Sequence, residues 1–247
     1  MSTKRSIPPA NVHTTKSKKR RQQSNDSFCL AQGKAHDAIL TSQCELVTAQ
    51  KWTATSGSTT LTEVTTRVAI LVPFRDSHPT QRRRAHLNEF VHYMTDYLYR
   101  HCAARSASFH IFILEQSLDG RKFNRGKLLN AGFDMTRNEF DIFVFHDVDL
   151  LPGDDLSEFY TTVPHAGPMH IARVWERYNE CPSYFGGIVA FTRQQFIKVN
   201  GFPNNFWGWG GEDNELYSRV VRKKLKVHAP TRRVISHVNS IGELDDR

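Results

Sequence analysis

Hydrophobic and polar positions follow one another along the chain in a way that predicts strands and helices from about residue 67 onward. The apolar run Val68–Val72 ends at Pro73 and is typical of a strand buried on both faces. Apolar runs at Phe109–Leu114 and Asp141–His146 predict a second and a third strand. After Pro79, apolar side chains recur at helical spacing on one face: Leu87, Phe90, Val91, Met94, Leu98 and Cys102.

The second half of the chain carries signals of the same kind. Helices are predicted at Lys127–Met135 and Asp213–Lys224, and strands at Met169–Val174, Tyr184–Phe191 and Val234–Val238. Strands that alternate with helices favour an α/β sheet that is parallel at least in its first half. Ligands bind such sheets outside the carboxyl ends of the strands. The segments after the first and third strands, Pro73–Asp76 and Asp147–Asp149, are therefore candidates for function.

Composition separates a polar N-terminal segment from the patterned domain. Residues 1–66 are rich in Ser, Thr, Lys and Gln, and we expect a disordered basic tail and linker there, followed by a single domain over 67–247. The formal net charge is +8, but Met1–Ser24 holds seven bases and no acid, so the rest of the chain is close to neutral. The basic run Lys16–Arg21 fits a nuclear-import signal, a nucleic-acid contact or a solvated leader. Since no aromatic or fold signal accompanies it, we favour the leader and expect no nucleic-acid partner.

The chain shows no secretory hydrophobic region and no apolar run long enough to span a bilayer, so it carries no recognisable membrane anchor. None of its four cysteines forms a Cys-x-x-Cys pair, which argues against a structural zinc site. The four cysteines are compatible with one disulfide, and with either an oxidising or a reducing compartment.

Two carboxylates, Asp147 and Asp149, follow the third predicted strand directly. At this position they can hold a divalent cation together with the nucleotide end of a bound donor. Oxygen ligands suit Mg²⁺ or Mn²⁺, and the neighbouring imidazole of His146 favours Mn²⁺. The alternative is a solvated acidic turn, because Asp-x-Asp alone occurs often by chance.

The segment Phe206–Glu215 interleaves two tryptophans with three glycines and ends in a block of acids. Glycine lets the backbone turn tightly beside a ligand, and tryptophan offers a flat face on which a sugar ring can stack. A carboxylate beside that platform can accept a hydroxyl proton as general base. The alternative is a structural aromatic loop in which Asp213 only caps a helix. We favour the sugar site, since a buried tryptophan rarely needs glycines on both sides and acids directly after.

Together these motifs resemble the β1,4-galactosyltransferase family, in its order and at its spacing, from Arg67 to about Val238. The matching segments are Val72–Arg75, Phe123–Phe133, His146–Pro152, Tyr184–Gly187 and Asn200–Glu215. Two segments, His146–Pro152 and Pro164–His170, are most similar to the xylosylprotein 4-β-galactosyltransferase branch, which adds galactose to xylose in the proteoglycan linker.

The resemblance implies a GT-A fold, which is the Rossmann-like fold of nucleotide-diphospho-sugar transferases, with UDP-galactose as donor and Mn²⁺ as cofactor. It implies donor contacts from Pro73, Phe74, Arg75, Phe123, Arg125, Asp147, Val148, Asp149 and Trp209. It implies acceptor contacts from Trp209, Gly210, Gly211, Glu212 and Asp213, with Asp213 as catalytic base and Glu212 beside it. Asp149 and His237 are the implied metal ligands.

The implied reaction is an inverting transfer of galactose to a sugar hydroxyl, with xylose as the candidate acceptor, forming a β1,4 linkage. The acceptor would be a glycan, glycoprotein or proteoglycan, and the family places the protein in the Golgi, associated with its membrane. Two alternatives stay open: a relative that uses UDP-N-acetylgalactosamine, and a catalytically inactive protein that binds sugar nucleotides.

Several positions depart from the family pattern. His237 fits the downstream metal ligand, although a buried strand histidine is the alternative, and the positions of a further family ligand hold Val234 and Asn239. Ser77 stands where some members have a second arginine, so we expect one phosphate contact to be missing. Asn214 replaces a common acid beside the candidate base.

Family members continue for tens of residues beyond the equivalent of His237, and those residues form a lid and part of the acceptor site. We therefore expect a domain truncated at its C-terminus. A fragment, a truncated gene model and a minimal enzyme all remain open at this point.

Overall fold

The computed structural model describes residues 47–48, 66–78, 80–102, 105–175, 183–230 and 238–240. A six-stranded sheet lies at its centre, in the spatial order β1-β3-β2-β4-β7-β6. Its strands are β1 Val47–Thr48, β2 Thr66–Phe74, β3 Ala107–Glu115, β4 Ile142–His146, β6 Met169–His170 and β7 Ile188–Thr192. A two-stranded sheet pairs β5, Leu150–Pro152, with β8, Val238–Ser240.

The sheet is parallel in its first half, as predicted. Strand β2 lies between β3 and β4 and pairs with both in the parallel sense. The outer pairs are antiparallel: β1 with β3, β4 with β7, and β6 with β7. The carboxyl ends of β2 and β4 therefore lie side by side at one edge of the sheet, which is the edge where the sequence predicts function.

Five helices cover the two faces of the sheet within the described ranges: α1 Arg83–Cys102, α2 Arg125–Thr136, α3 Glu158–Thr161, α4 Arg193–Val199 and α5 Glu212–Arg222. The side chains of β2 alternate between two hydrophobic clusters. Val68, Ile70 and Val72 join the cluster that contains the apolar face of α1. Ala69 and Leu71 join the cluster formed with α2, α4 and α5. Burial on both faces explains why the sequence of β2 is continuously apolar.

Some predicted elements differ from the structure. The strand predicted at Met169–Val174 ends at His170, and Ile171–Val174 forms a 3₁₀ helix. The strand predicted at Tyr184–Phe191 begins only at Ile188. Gly187 precedes it with φ of 77°, a left-handed conformation that interrupts extended backbone.

Helix α4 was not predicted, although its start carries a recognisable signal. Thr192 accepts a hydrogen bond from the backbone of Gln195, and the Gln195 side chain bonds back to the backbone of Thr192, which together form a capping box. The helix ends at Val199 and is followed by the C-cap residue Asn200, whose φ of 62° is left-handed.

The predicted tail and linker lie largely outside the described residues. Within residues 1–66, the structure describes Thr66 at the start of β2 and the two-residue strand β1, which pairs with β3. None of the helices in the described ranges is both long enough and apolar enough to cross a membrane.

Candidate functional site

The segment after β4 presents two carboxylates at the carboxyl edge of the sheet. The backbone N–H of Asp147 donates to the Gly187 carbonyl over 2.9 Å, which ties this segment to the residue before β7. Val148 is buried between the two aspartates. Asp149 Oδ2 accepts a hydrogen bond of 2.7 Å from Arg83 Nη1, in the first residue of α1. Sequence reasoning missed Arg83.

The start of α2 fixes the position of Arg125. Asn124 caps the helix, because its side chain accepts from the Lys127 N–H over 2.9 Å. The Asn124 N–H donates to Gln116 Oε1 over 2.8 Å, and its side-chain amide donates to the Asn204 carbonyl over 2.9 Å. Arg125 is thus the first residue of a helix whose entry is held from three sides.

Arg125 connects three of the predicted site residues. Its Nε lies 2.8 Å from Asp147 Oδ1, and its Nη1 lies 2.8 Å from Asp213 Oδ1 and 3.8 Å from Glu212 Oε1. The Arg125 side chain is only 11% exposed, and its guanidinium lies over the Phe202 ring at 5.7 Å from the ring centroid. One buried cation therefore holds carboxylates from the β4 edge and from α5 in a single network.

Burial and the neighbouring charges shift the pKa values of the side chains in this network. Burial alone would lower the pKa of Arg125, but the carboxylates of Asp147, Asp213 and Glu212 outweigh it and hold that pKa well above its usual value. Burial raises the pKa of Asp147, and it raises the pKa of Asp213 to about 7. Arg125 opposes both rises, while the neighbouring carboxylates add to them. Asp213 is therefore a carboxylate poised to exchange a proton near neutral pH.

The tryptophan and glycine segment forms the loop that leads into α5. Gly208, Gly210 and Gly211 have φ of 92°, 92° and 93°, a left-handed conformation that glycine adopts without strain. The Gly208 N–H donates to the Phe123 carbonyl over 2.7 Å, which fastens the loop to the residues before α2. Trp209, at the tip of the loop, is 88% exposed.

Asp213 is not the N-cap residue of α5. The N-cap residue is Gly211, and it makes no side-chain capping bond. Asp213 lies in the first turn of the helix, where a negative charge also interacts favourably with the helix dipole. Its carboxylate is directed to Arg125.

A buried histidine supports the backbone of Asp147. His146 Nδ1 lies 2.8 Å from the Asp147 carbonyl oxygen, which can only accept, so Nδ1 carries the proton. Nε2 then accepts from the Tyr160 hydroxyl over 2.8 Å. Burial lowers the pKa of His146 to about 4, so the ring is neutral at physiological pH. The Tyr160 hydroxyl therefore orients the His146 ring, which in turn donates to the backbone carbonyl of Asp147.

Tyr160→Phe is expected to lower the free energy of unfolding by about 1–3 kcal/mol, because it leaves His146 Nε2 buried without a donor. Urea denaturation measures the change. Tyr99→Phe is the matched control on α1, since Tyr99 is 53% exposed, and it should change stability by less than about 0.5 kcal/mol. Equal effects of the two substitutions would contradict a stabilising role for this hydrogen bond.

Among the predicted site residues, three buried polar atoms have no hydrogen-bond partner within the described part of the chain. They are Arg75 Nε, Arg125 Nη2 and Glu212 Oε2. Arg75 follows β2, and its Nη1 donates to the Arg121 carbonyl over 2.6 Å. Buried polar groups are rarely left without partners in folded proteins. These atoms, two donors and one acceptor, have hydrogen-bonding capacity that the described residues leave unused.

The structure brings some predicted site residues together and leaves others apart. Pro73 and Phe74 end β2, and Phe123 lies before α2. Asp149 pairs with Arg83, whereas Asp147 pairs with Arg125, so the two aspartates after β4 have different partners.

The metal site is only partly described. His237 lies outside the described residues, as does Val234. Within the described ranges, no group of three His, Cys, Asp or Glu side chains is arranged to hold a metal ion. Asp149 is the predicted ligand that the structure places at the carboxyl edge of the sheet.

Comparison with known families covers most of the chain. The family model described as the N-terminal region of glycosyl transferase group 7 matches residues 34–162. A second, described as the N-terminal domain of galactosyltransferase, matches residues 167–243. The first of these alone accounts for more than half of the chain.

Curated relatives carry galactosyltransferase names. β-1,4-Galactosyltransferase 4 of Homo sapiens is 40% identical over 167 residues, which are 66% of this chain and 45% of that protein. β-1,4-Galactosyltransferase 1 of Mus musculus is 38% identical over 169 residues, which are 66% of this chain and 39% of that protein. The matched part thus spans about two fifths of the length of these relatives.

The chain is also similar to solved structures of a β-1,4-galactosyltransferase. The catalytic domain of Drosophila β-1,4-galactosyltransferase 7 in complex with xylobiose matches with a TM-score of 0.59 and 38% identity, over 68% of this chain and 66% of that chain. A mutant of the same Drosophila enzyme, in complex with manganese, UDP-Gal and xylobiose, matches with a TM-score of 0.62 and 35% identity, over 72% of this chain and 71% of that chain. The predicted GT-A fold is confirmed. The chain belongs to the β-1,4-galactosyltransferase family of group 7 glycosyltransferases.

Proposed function

We propose that this protein transfers galactose from UDP-galactose to a sugar hydroxyl, with Mn²⁺ as cofactor and with inversion at the anomeric carbon. The observation that carries the proposal is the set of buried polar atoms without partners among the described residues, two of which, Arg125 Nη2 and Glu212 Oε2, belong to the network of Asp213. Arg75 Nε and Arg125 Nη2 are N–H donors, which suit the oxygens of a diphosphate. Glu212 Oε2 is an acceptor, which suits a sugar hydroxyl. The Drosophila relative solved with UDP-Gal and manganese supports the same donor and metal.

One described residue at the edge of the sheet suits a divalent cation. Asp149 offers a hard carboxylate oxygen at the carboxyl end of β4, and the diphosphate of a bound donor would supply further oxygens. His237 is the second ligand that the sequence predicts. When bound, the cation would neutralise the charge that develops on the departing diphosphate.

Asp213 is the proposed general base. Its carboxylate accepts a hydrogen bond from Arg125 and has a pKa of about 7, so it is partly ionised at neutral pH. It would take the proton of the acceptor hydroxyl as that oxygen attacks the anomeric carbon of the donor. The bond to the leaving UDP breaks on the opposite side of that carbon, which converts an α-linked donor into a β-linked product. Arg125 would stabilise the negative charge of Asp147 and of Asp213 during the reaction.

Xylose is the proposed acceptor sugar. The exposed face of Trp209 offers a platform for a sugar ring, and Glu212 lies beside the proposed base. The Drosophila relatives were solved with xylobiose, which supports an acceptor of this class.

The test is UDP release from UDP-galactose with a β-xyloside acceptor, with and without Mn²⁺, for the wild type and Asp149→Ala. Turnover that requires Mn²⁺ and is lost in the variant is expected. Faster turnover with UDP-N-acetylgalactosamine than with UDP-galactose would identify UDP-N-acetylgalactosamine as the donor. UDP binding without turnover on any sugar acceptor would favour an inactive sugar-nucleotide-binding protein. Absence of both turnover and UDP binding would overturn the proposal.

By family, we also propose that the protein acts in the Golgi. A fluorescent fusion of the full-length protein should coincide with a Golgi marker in cells of the source organism. A diffuse or nuclear signal would contradict this assignment.

Gly186→Ala is expected to lower turnover about tenfold or more. Its effect on the unfolding temperature should be smaller than that of Gly132→Ala. A Cβ at Gly186 would overlap the Tyr184 hydroxyl and Asp213 Oδ2, so the base would have to move. Gly132→Ala is the matched control, because its Cβ would overlap only the Leu114 side chain in the core. The control should lower the unfolding temperature while turnover per folded molecule stays unchanged. Unchanged turnover in Gly186→Ala would argue against the placement of Asp213 as base.

A further inference from the structure

The ion pair between Arg83 and Asp149 places a guanidinium on the carboxylate that is the predicted metal ligand. The two side chains are largely but not fully buried, and their contact distance of 2.7 Å is that of a strong, charge-assisted hydrogen bond. Among the described residues, Arg83 is the partner that the structure gives to Asp149. The positive charge of the guanidinium, held at Asp149 Oδ2, opposes the binding of a divalent cation to the same carboxylate by charge repulsion.

The sequence places Arg83 against the local preference of the helix. Residues 82–84 are three consecutive arginines at the N-terminus of α1, and the first turn of that helix contains no acid. Cations are unfavourable there, because the helix dipole is positive at that end. Arg82 also has φ of 47°, which is uncommon for a residue with a side chain. Local rules broken in this way usually mark positions under functional constraint.

We propose that Arg83 is an exchangeable counterion of the donor site. It neutralises Asp149 until a divalent cation takes that carboxylate, and it then pairs with the diphosphate of the donor. This inference rests on the proposed function. Under this proposal, an arginine from the next segment of the chain would supply the phosphate contact that is expected to be missing at Ser77. Ser77 itself is exposed.

The proposal requires effects of opposite sign on two ligands. Arg83 competes with the cation for Asp149, so its removal should strengthen cation binding in the absence of nucleotide. Arg83 assists the diphosphate, so its removal should weaken nucleotide binding once the cation is present. A residue that only stabilises the fold would weaken both or neither.

The experiment measures Mn²⁺ affinity without nucleotide, and UDP affinity at saturating Mn²⁺, by calorimetry on the full chain. Arg83→Gln is expected to bind Mn²⁺ roughly fivefold more tightly and UDP roughly tenfold more weakly than the wild type. Arg100→Gln is the matched control on the same helix, because Arg100 also pairs with aspartates, at 2.9 Å from Asp96 and 3.3 Å from Asp154, but far from Asp149 along the helix. Its affinities should equal those of the wild type.

Arg83→Lys keeps a cation beside Asp149 without the planar fork of donors. It should bind Mn²⁺ like the wild type and UDP several-fold more weakly, which keeps the test decisive if Arg83→Gln does not fold. Mn²⁺ affinity that is unchanged or weaker in Arg83→Gln, or UDP affinity unchanged in both variants, would overturn the inference while the wild type still binds both ligands. A wild type that binds neither Mn²⁺ nor UDP would overturn the proposed function and this inference with it.

Discussion

Asp213→Asn should lower the turnover number by about two to four orders of magnitude, which is the usual contribution of a general base. Asparagine has the same shape and keeps an oxygen that can accept from Arg125 Nη1, so the network around the site should persist. What the variant loses is a group that can take a proton. UDP affinity in the presence of Mn²⁺ should therefore stay within a few-fold of the wild type, as judged by titration calorimetry.

Glu215→Gln provides the matched control for this substitution. Glu215 lies on the same helix, and its carboxylate pairs with Arg219 at 3.2 Å and Arg222 at 2.7 Å on the outer side of α5. The same change of charge at that position should leave turnover unaffected. Asp213→Asn with more than about a tenth of wild-type turnover would require another base.

The wild-type rate should also depend on pH in a defined direction. The base acts in its ionised form, and burial raises the pKa of Asp213 to about 7. The value of kcat/KM should therefore rise as the pH increases through that region and level off above it. Asp213→Asn should lose this limb of the profile, whereas Glu215→Gln should retain it.

Arg125→Met should destabilise the fold by about 3–5 kcal/mol, the usual effect of removing one partner from a buried ion pair. Methionine fills much of the volume but leaves Asp147, Asp213 and Glu212 close together without their cation. Urea denaturation measures the loss. Arg100→Met, at a side chain that is 44% exposed, is the control and should cost less than about 1 kcal/mol.

The destabilisation by Arg125→Met should grow as the pH rises. Without the cation, the carboxylates have pKa values still further above those of the unfolded chain, so the folded variant binds more protons than the unfolded one. Stability of that kind is present at low pH and is lost as the pH rises through the raised pKa values. The difference from the wild type should thus be smaller near about pH 5 than near about pH 8. A deficit that does not vary with pH would show that packing, and not charge, is what Arg125 contributes.

The sequence predicts the central strands well because burial on both faces leaves an unbroken apolar pattern. The run at Val68–Val72 lies inside β2, and the run at Asp141–His146 coincides with β4 except for its first residue. The outer part of the sheet is less predictable. His170 ends β6 and hydrogen-bonds to the Gly186 carbonyl at 3.0 Å, a contact that depends on the paired strand and leaves no periodic signal.

Some residues of the candidate site can be predicted from the sequence, and others cannot. The acids after β4 and the glycine and tryptophan loop could be found from the sequence, because their composition is unusual beside a strand end and a helix start. Arg83 and the pair of His146 with Tyr160 could not be placed, since each acts on a residue distant in sequence or through a backbone carbonyl. The run of arginines at the start of α1 was the available signal, because it opposes the helix dipole.

The ion pairs of Arg125 also constrain the order in which the chain can fold. Its two closest partners, Asp147 and Asp213, lie 22 and 88 residues further along the chain. Pairing of β2 with β3 and β4 can proceed while Arg125 is still hydrated, but enclosing the guanidinium before α5 docks would strand an uncompensated charge, at a cost of several kcal/mol. The network around Arg125 therefore cannot serve as a folding nucleus. We expect it to be consolidated after the main transition state, with its ion pairs slowing unfolding more than they speed folding.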